Sequence, residues 1–309
     1  MSKIEYEDYW FNYVFKTDPQ EIKDTVKQEY ITSQGLKIHL DIYDNKELLD
    51  KTAIFIPGTA MYSRFYAEFC YNLFKKGFRV VVPDMQGHGL SEGSRGHFTM
   101  DGFTQTTYDV TSHVLDTFGG KVAIMGSSLG GITSLYSAAN DDERLSAVIC
   151  HNAALFDEKA YKKIVPIKGI LRILLPMVPI AAKIAPRAKA SVWLYLKAER
   201  LAKSEELLSK IDLLKKDKIL SHKYSARSLR TQQQDPMAKK IEEISTPVMI
   251  INGDEDILFS VEYMTELYNR LTCEHKSLEI MEGASHLIFQ ENLEESLNRV
   301  VPWLNKVLQ

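Results

Sequence analysis

The strongest constraint on the fold is a series of short apolar runs, rich in β-branched residues, that alternate with longer helical patterns. The apolar runs are Thr52–Pro57, Phe78–Pro83, Lys121–Gly126, Leu145–Cys150 and Pro247–Asn252. The helical patterns are Arg64–Lys76, Asp101–Phe118, Leu129–Asn140, Val261–Leu271 and Leu293–Leu308. Near-continuous apolar strands are typical of parallel sheets that are covered on both faces. The alternation therefore predicts an α/β fold, with a mostly parallel central sheet and helices on both sides.

Two segments depart from this rhythm. Lys27–Thr32 and Leu36–Asp41 flank a Ser-Gln-Gly turn and predict an antiparallel hairpin at the sheet edge. From Leu155 to Ile244 no strand-like run occurs, and the composition favours helices interrupted by prolines. Because a structureless loop of that length is rare within a domain, we expect an inserted helical cap. The predicted organisation is an N-terminal arm (1–25), a first part of the core (26–154), the cap (155–245) and a second part of the core (246–309).

Composition and charge exclude several classes of function. A formal net charge of −3 provides no overall attraction for nucleic acid. We see no basic-then-apolar leader and no apolar stretch of about 18 residues, so we expect neither a secretory signal nor a transmembrane helix. Cys70, Cys150 and Cys273 are dispersed, which predicts buried thiols in a reducing compartment, the cytoplasm, and no thiolate metal site. No metal or organic cofactor is implied.

The residues Gly126–Gly131 carry the chemistry that the sequence indicates most clearly. They form the pattern G-x-S-x-G between a predicted strand and a predicted helix, with Ser128 at its centre. This strand–turn–helix setting exposes the serine hydroxyl at the carboxyl edge of the sheet. Glycines on either side allow the backbones to approach closely, and the helix start directs amide groups toward developing negative charge. Ser128 is therefore the predicted nucleophile, with Ser127 on its flank.

A serine nucleophile needs a base and a group that orients the base. Downstream of Ser128, an acidic turn at Gly253–Asp256 and a loop at Gly283–His286 each follow a predicted strand. Both therefore lie at the sheet edge where ligands bind in α/β folds. His286 is the predicted base, and the acidic turn supplies the orienting acid. Of the remaining histidines, His151 is expected to line the pocket, whereas structural roles are expected for His39, His113, His222 and His275.

Two backbone amides should hold the oxyanion that forms during acyl transfer. One belongs to Leu129, the residue after the nucleophile, and the other comes from the loop Pro57–Ala60. Gly58 permits a sharp turn in that loop, which makes the Thr59 amide the second candidate.

Several motifs of this sequence resemble those of a known family. Asp84–Ser91 and the following Glu92–His97 are similar to the D-x-R-G-H-G-x-S and R-G-H segments of the monoacylglycerol lipase and lysophospholipase branch of the α/β-hydrolases. The elbow, the acidic turn and the His286 loop match as well, so the resemblance spans about residues 50–150 and 245–305. Two positions differ: Pro57 replaces the usual histidine of the oxyanion loop, and Gln86 replaces the usual arginine.

The resemblance implies an α/β-hydrolase fold and specific roles. It implies a triad of Ser128, Asp256 and His286, with oxyanion amides on Thr59 and Leu129. The family turn places the acid three residues after Gly253, which selects Asp256 rather than Asp254. His88 and His97 belong to the matching motifs, and we interpret them as structural.

These features predict a serine hydrolase that cleaves carboxylic esters of single-chain lipids and other small amphiphiles. The alternatives are a small-ester esterase, a thioesterase or a non-catalytic binding protein on the same scaffold. Between Lys159 and Lys203 the cap has eight Lys, three Arg and one Glu, a net charge of +10, and its Ile167–Lys183 segment is strongly apolar. Such a segment favours peripheral contact with an anionic membrane, but it equally suits a cap packed on the substrate pocket.

Overall fold

The computed structural model describes residues 8–45, 50–141, 143–164 and 174–309. Its strands are β1 (Lys27–Ser33), β2 (Leu36–Tyr43), β3 (Lys51–Ile56), β4 (Arg79–Pro83), β5 (Lys121–Ser127), β6 (Ala147–His151), β7 (Lys189–Ser191), β8 (Lys223–Ser225), β9 (Val248–Gly253) and β10 (Lys276–Met281). Eight of them form one sheet in the order β1-β2-β4-β3-β5-β6-β9-β10. In this sheet the pairs β1–β2 and β2–β4 are antiparallel and the other described pairs are parallel, which confirms the predicted parallel core and hairpin edge.

Helices connect the strands over both faces of the sheet. The α-helices are α1 (Pro19–Thr25), α2 (Ala67–Lys75), α3 (Met100–Phe118), α4 (Leu129–Asn140), α5 (Val178–Ile184), α6 (Glu205–Ser209), α7 (Ile211–Lys216), α8 (Ala226–Gln234), α9 (Val261–Arg270), α10 (Ile288–Glu291) and α11 (Leu293–Val307). Arg64 was expected to lie at the start of an α-helix, but Ser63–Tyr66 is a 3₁₀ turn that leads into α2. Within the described ranges, no helix is both long and apolar enough to cross a bilayer.

Side-chain alternation along the central strands builds two apolar layers. Ile54, Ile124 and Ile250 point to one face, where α3, α4 and α9 cover them. Their neighbours Phe55 and Met125 point to the other face, beneath α2 and α11. The strands are therefore apolar on both sides, which explains their near-continuous apolar sequences.

The cap differs from the sequence prediction. Besides short helices it contains the antiparallel pair β7–β8, with Lys189 opposite Ser225. Each strand has three residues and includes Lys and Ser, so neither resembles the long apolar runs of the core. Residues 165–173, which include the first part of the predicted apolar segment Ile167–Lys183, lie outside the described residues.

The N-terminal arm packs against the core from residue 8 onward. Trp10 and Tyr13, in a 3₁₀ turn, are buried in the same apolar layer as α2 and α11. The Tyr13 hydroxyl donates to Asp217 Oδ2 at 2.8 Å, and the Tyr62 hydroxyl donates to the same oxygen at 3.0 Å. Asp217 lies in the cap, so this buried carboxylate joins the arm, the core and the cap.

Candidate active site

The serine elbow lies between β5 and α4. Ser128 is the residue that precedes α4 and has φ 55° and ψ −117°, an unfavourable region for any residue with a side chain. A Cβ on Gly130 would lie 2.0 Å from the Ile56 carbonyl oxygen, and one on Gly126 would lie 2.4 Å from the Gly130 carbonyl carbon. The tight packing of strand and helix thus explains both glycines and holds Ser128 at the carboxyl edge of β5.

The loops after β9 and β10 bring Asp256 and His286 together. Asp256 Oδ2 lies 2.7 Å from His286 Nδ1, and both side chains are buried. Asp256 Oδ1 accepts hydrogen bonds from the amides of Leu258 at 2.8 Å and Phe259 at 3.2 Å. Asp254 is exposed. Of the two aspartates in the turn, it is therefore Asp256 that faces the histidine.

The charge state of Asp256 determines which histidine nitrogen carries the proton. Burial by itself would raise the pKa of Asp256, but the charge of His286 and its hydrogen bond lower that pKa below its usual value. An ionised carboxylate only accepts hydrogen bonds, so His286 Nδ1 donates and Nε2 is available as a base. His286 and Ser128 line the same cavity.

The amides of Thr59 and Leu129 differ from those of their neighbours. The Ser128 amide donates to His151 O at 2.8 Å, and the Gly58 and Ala60 amides donate to tyrosine hydroxyls at 3.3 and 2.7 Å. Within the described part of the chain, neither the Thr59 amide nor the Leu129 amide donates a hydrogen bond. Because Leu129 is the first residue of α4, its amide has no helical partner. Both candidate oxyanion donors border the cavities next to Ser128.

Tyr224 supports the oxyanion loop from the cap, which the sequence analysis missed. Its hydroxyl accepts from the Ala60 amide at 2.7 Å and lies 2.9 Å from His88 Nε2. His88 is buried and its Nδ1 lies 3.1 Å from Gln86 O. His88 therefore acts through Tyr224 rather than on a substrate, and His97, whose Nδ1 lies 2.9 Å from Ser225 Oγ, contacts the same strand. Tyr224 and Ala60 are 164 positions apart, so no local pattern could have predicted the contact.

Asn152 and His151 also adjoin the candidate triad. Asn152, with φ 67°, donates from Nδ2 to Asp256 Oδ2 at 3.0 Å. It follows β6 at the carboxyl edge of the sheet, so the rule that selected His286 could have found it. His151 Nδ1 lies 2.9 Å from Ser127 Oγ. Burial, reinforced by the charge of His286 and opposed by Asp256, lowers the pKa of His151 to about 3.

The side chains of His151, Asp256 and His286 form the one group of potential metal ligands found among the described residues. They offer ligand atoms within 4.8 Å of one another. Two of the three already share a hydrogen bond of 2.7 Å, an arrangement that suits proton transfer without a metal.

Two cavities meet at Ser128. The first is bordered by His286, Gly58, the arm and the cap residues around Leu207. The second is bordered by Leu129, Ile132 and Phe259 and by cap residues such as Leu229. Ser128, Thr59 and Leu196 border both. Ser128 therefore lies at the junction of two mostly apolar spaces beneath the cap.

Comparisons with known proteins identify the family and the fold of this chain. A family model described as serine aminopeptidase, S33 matches residues 49–293. Human monoglyceride lipase is 25% identical over 265 residues, which are 82% of this chain and 81% of the human protein. The crystal structure of Paleococcus ferrophilus monoacylglycerol lipase superposes with a TM-score of 0.73 at 21% identity, over 87% of this chain and 99% of that one. A thermostable carboxyl esterase from Bacillus coagulans gives a TM-score of 0.72 at 18% identity, over 92% of this chain and 99% of that one. This chain is therefore a member of the serine aminopeptidase S33 family, with an α/β-hydrolase fold similar to that of the monoglyceride lipases.

Proposed function

We propose that this protein hydrolyses carboxylic esters of a single fatty acyl chain through an acyl-enzyme on Ser128. The observation that carries the proposal is the hydrogen bond between His286 Nδ1 and Asp256 Oδ2, at 2.7 Å, beside a cavity that His286 shares with Ser128. A base, its orienting acid and a strained serine thus converge below an apolar cap. This is the combination that activates a serine hydroxyl.

The proposed reaction has two balanced steps. Ser128 Oγ attacks the ester carbonyl carbon while His286 Nε2 accepts its proton, and the Thr59 and Leu129 amides stabilise the oxyanion. The intermediate then breaks the bond to the alcohol oxygen, which takes the proton from His286. Water, deprotonated by His286, attacks the acyl-enzyme and releases the fatty acid and the Ser128 hydroxyl. Asp256 holds the imidazole in the tautomer that both steps need.

The acyl part of the substrate follows from the second cavity. This mostly apolar cavity next to Ser128 is bordered by Leu129, Ile132, Leu229 and Phe259. Each buried CH₂ gains up to about 0.8 kcal/mol, so a medium-length acyl chain would bind there much better than acetyl. We propose that esters with one acyl chain, such as monoacylglycerols and lysophospholipids, are cleaved better than triacylglycerols. A small-ester esterase and a thioesterase are the alternatives.

The test combines an acyl-chain series with active-site labelling. We expect kcat/KM for methyl esters to rise from acetate toward octanoate, and a fluorophosphonate to label the protein. Ser128→Ala should abolish both hydrolysis and labelling, whereas the neighbouring Ser127→Ala should retain labelling. A maximum at acetate would make the protein a small-ester esterase. Labelling that is lost in Ser127→Ala instead of Ser128→Ala would refute the assigned nucleophile.

We also propose that the cap contacts anionic membranes. Among the described residues of the cap, five large apolar side chains are exposed, namely Leu174, Met177, Ile180, Ile184 and Leu194. Ile184 is 80% exposed at the end of α5, beside the exposed cations Lys183 and Arg187. Apolar side chains surrounded by cations are typical of segments that insert into the interface of an anionic bilayer. This surface would deliver a lipid substrate directly to the capped cavities.

A further inference from the structure

We propose that the esters cleaved best have an apolar alcohol, either aliphatic or aromatic, so that both halves of the substrate are apolar. This inference rests on the proposed acyl-enzyme reaction and extends it to the leaving group. It ranks fatty acid esters of simple alcohols above esters of glycerol or glycerophosphate. His286 borders only one of the two cavities that meet at Ser128.

His286 determines which cavity receives the alcohol. In the reaction proposed above, this imidazole donates its proton to the alcohol oxygen, so the alcohol must lie on its side of Ser128. His286 and the following Leu287 border the first cavity and do not belong to the lining of the second. The alcohol therefore occupies the first cavity, and the acyl chain extends past Leu129 into the second.

The lining of the alcohol cavity is apolar. Met61 and Phe65 follow the oxyanion loop, and Leu207, Ile211 and Leu214 approach from the cap. Three of these side chains are buried, namely Phe65, Leu207 and Ile211. These side chains can replace water around hydrocarbon, whereas a hydroxyl placed among them would lose its water without a new partner.

Three polar side chains in the same lining already have hydrogen-bond partners. The Tyr13 hydroxyl donates to Asp217 at 2.8 Å, and Trp193 Nε1 donates to His222 Nδ1 at 3.1 Å. The Tyr66 hydroxyl accepts from the Gly58 amide at 3.3 Å. Apart from His286, Lys210 is the one charged side chain among the described residues of this lining. The two remaining hydroxyls of glycerol would therefore find few partners, at a cost that a butyl or hexyl group avoids.

The expected size of the effect follows from the apolar burial. Each methylene that moves from water into the cavity should raise kcat/KM up to about fourfold, the ratio that corresponds to about 0.8 kcal/mol. From methyl to butyl octanoate, we expect kcat/KM to rise at least about tenfold. This is less than three fully buried methylenes would give, because burial in the cavity is incomplete. We expect 1-octanoylglycerol and 1-octanoyl-glycerophosphocholine to react at least about tenfold more slowly than hexyl octanoate.

The experiment measures two series of esters on the full chain. In the alcohol series the acyl group is octanoyl, and the alcohol is methanol, butanol, hexanol, glycerol or glycerophosphocholine. In the acyl series the alcohol is methanol, and the acid runs from acetate to octanoate. Inhibition of methyl octanoate hydrolysis by 1-hexanol and by glycerol gives an independent measure that needs no variant. We expect 1-hexanol to inhibit at concentrations at least about tenfold lower.

Two matched variants separate the cavities. Ala202 borders only the first cavity and Leu229 borders only the second, and both belong to the cap. In Ala202→Trp, we expect the hexyl-to-methyl ratio to fall about tenfold while the octanoate-to-acetate ratio is kept. In Leu229→Trp, we expect the octanoate-to-acetate ratio to fall about tenfold while the hexyl-to-methyl ratio is kept. Circular dichroism establishes that each variant is folded, and the wild-type series and alcohol inhibition decide the question where one is not.

The outcomes distinguish this inference from the proposed function. If the glycerol or glycerophosphocholine ester reacts as fast as hexyl octanoate, the inference is wrong even though Ser128 is labelled. It is equally wrong if Ala202→Trp flattens the acyl series, because the cavities would then be reversed. If no ester is cleaved and Ser128 is not labelled, the proposed function is wrong and this inference is refuted with it.

Discussion

Replacing Asp256 with asparagine tests the arrangement of the candidate triad most directly. Asp256 uses both oxygens: Oδ1 accepts from the Leu258 and Phe259 amides, and Oδ2 accepts from Asn152 Nδ2 at 3.0 Å and faces His286 Nδ1. An asparagine has only one acceptor oxygen. If that oxygen meets the two amides, the new NH₂ group faces His286. The imidazole must then take the other tautomer, with its proton on Nε2, and cannot accept the proton of Ser128.

The expected loss is large because the base itself is lost in this tautomer. Removing the carboxylate of such a triad while keeping its shape costs about 10⁴-fold in kcat, which corresponds to about 5 kcal/mol of transition-state stabilisation. The same change at Asp254, which is exposed in the same turn, provides a matched control. We expect Asp254→Asn to stay within about twofold of wild type, as is usual for exposed sites without a specific contact.

The assay is steady-state hydrolysis of a water-soluble octanoate ester at pH 8, with thermal unfolding as a check on the fold. A loss of less than about 100-fold in a folded Asp256→Asn protein would refute the assigned role of this carboxylate. Equal losses in the two variants would show that the turn as a whole, and not one carboxylate, matters for activity.

Three further predictions follow from individual contacts. Binding to vesicles with anionic lipid should exceed binding to neutral vesicles and should weaken with salt. Ile184→Asp should reduce binding to anionic vesicles about tenfold, whereas the control Tyr30→Asp, at an exposed site outside the cap, should not. Because the folded-state pKa of His151 is about 3 and an unfolded histidine titrates near 6.5, the free energy of unfolding measured in urea should fall as the pH drops below about 6.5, by up to about 1.4 kcal/mol per pH unit. His151→Gln should make this decline shallower, and an unchanged slope would contradict the lowered pKa of His151. Tyr224→Phe removes the acceptor of the Ala60 amide, so kcat should fall about tenfold with little change in KM, and an unchanged kcat would exclude a role in positioning the oxyanion loop.

The features that could be predicted from the sequence are those that neighbouring residues encode. A buried parallel strand needs a continuous apolar run, and an elbow needs glycines beside its serine, so β5, Ser128 and α4 could be predicted from residues adjacent in the chain. His286 could be predicted for a related reason, because it follows a strand whose carboxyl end points to the same edge of the sheet. The two strands of the cap escaped prediction, since three-residue strands with Lys and Ser have no apolar periodicity.

Contacts between residues far apart in the chain became visible only in the tertiary structure. The residue pattern left Asp254 and Asp256 open until the family resemblance was considered, and the contact at 2.7 Å with His286 comes from the relative position of two loops. The support of Ala60 by Tyr224 spans 164 positions, and the two cavities exist only because arm, core and cap enclose Ser128 together. Such contacts depend on loop closure and packing between segments far apart in the chain, which no local propensity or periodicity encodes.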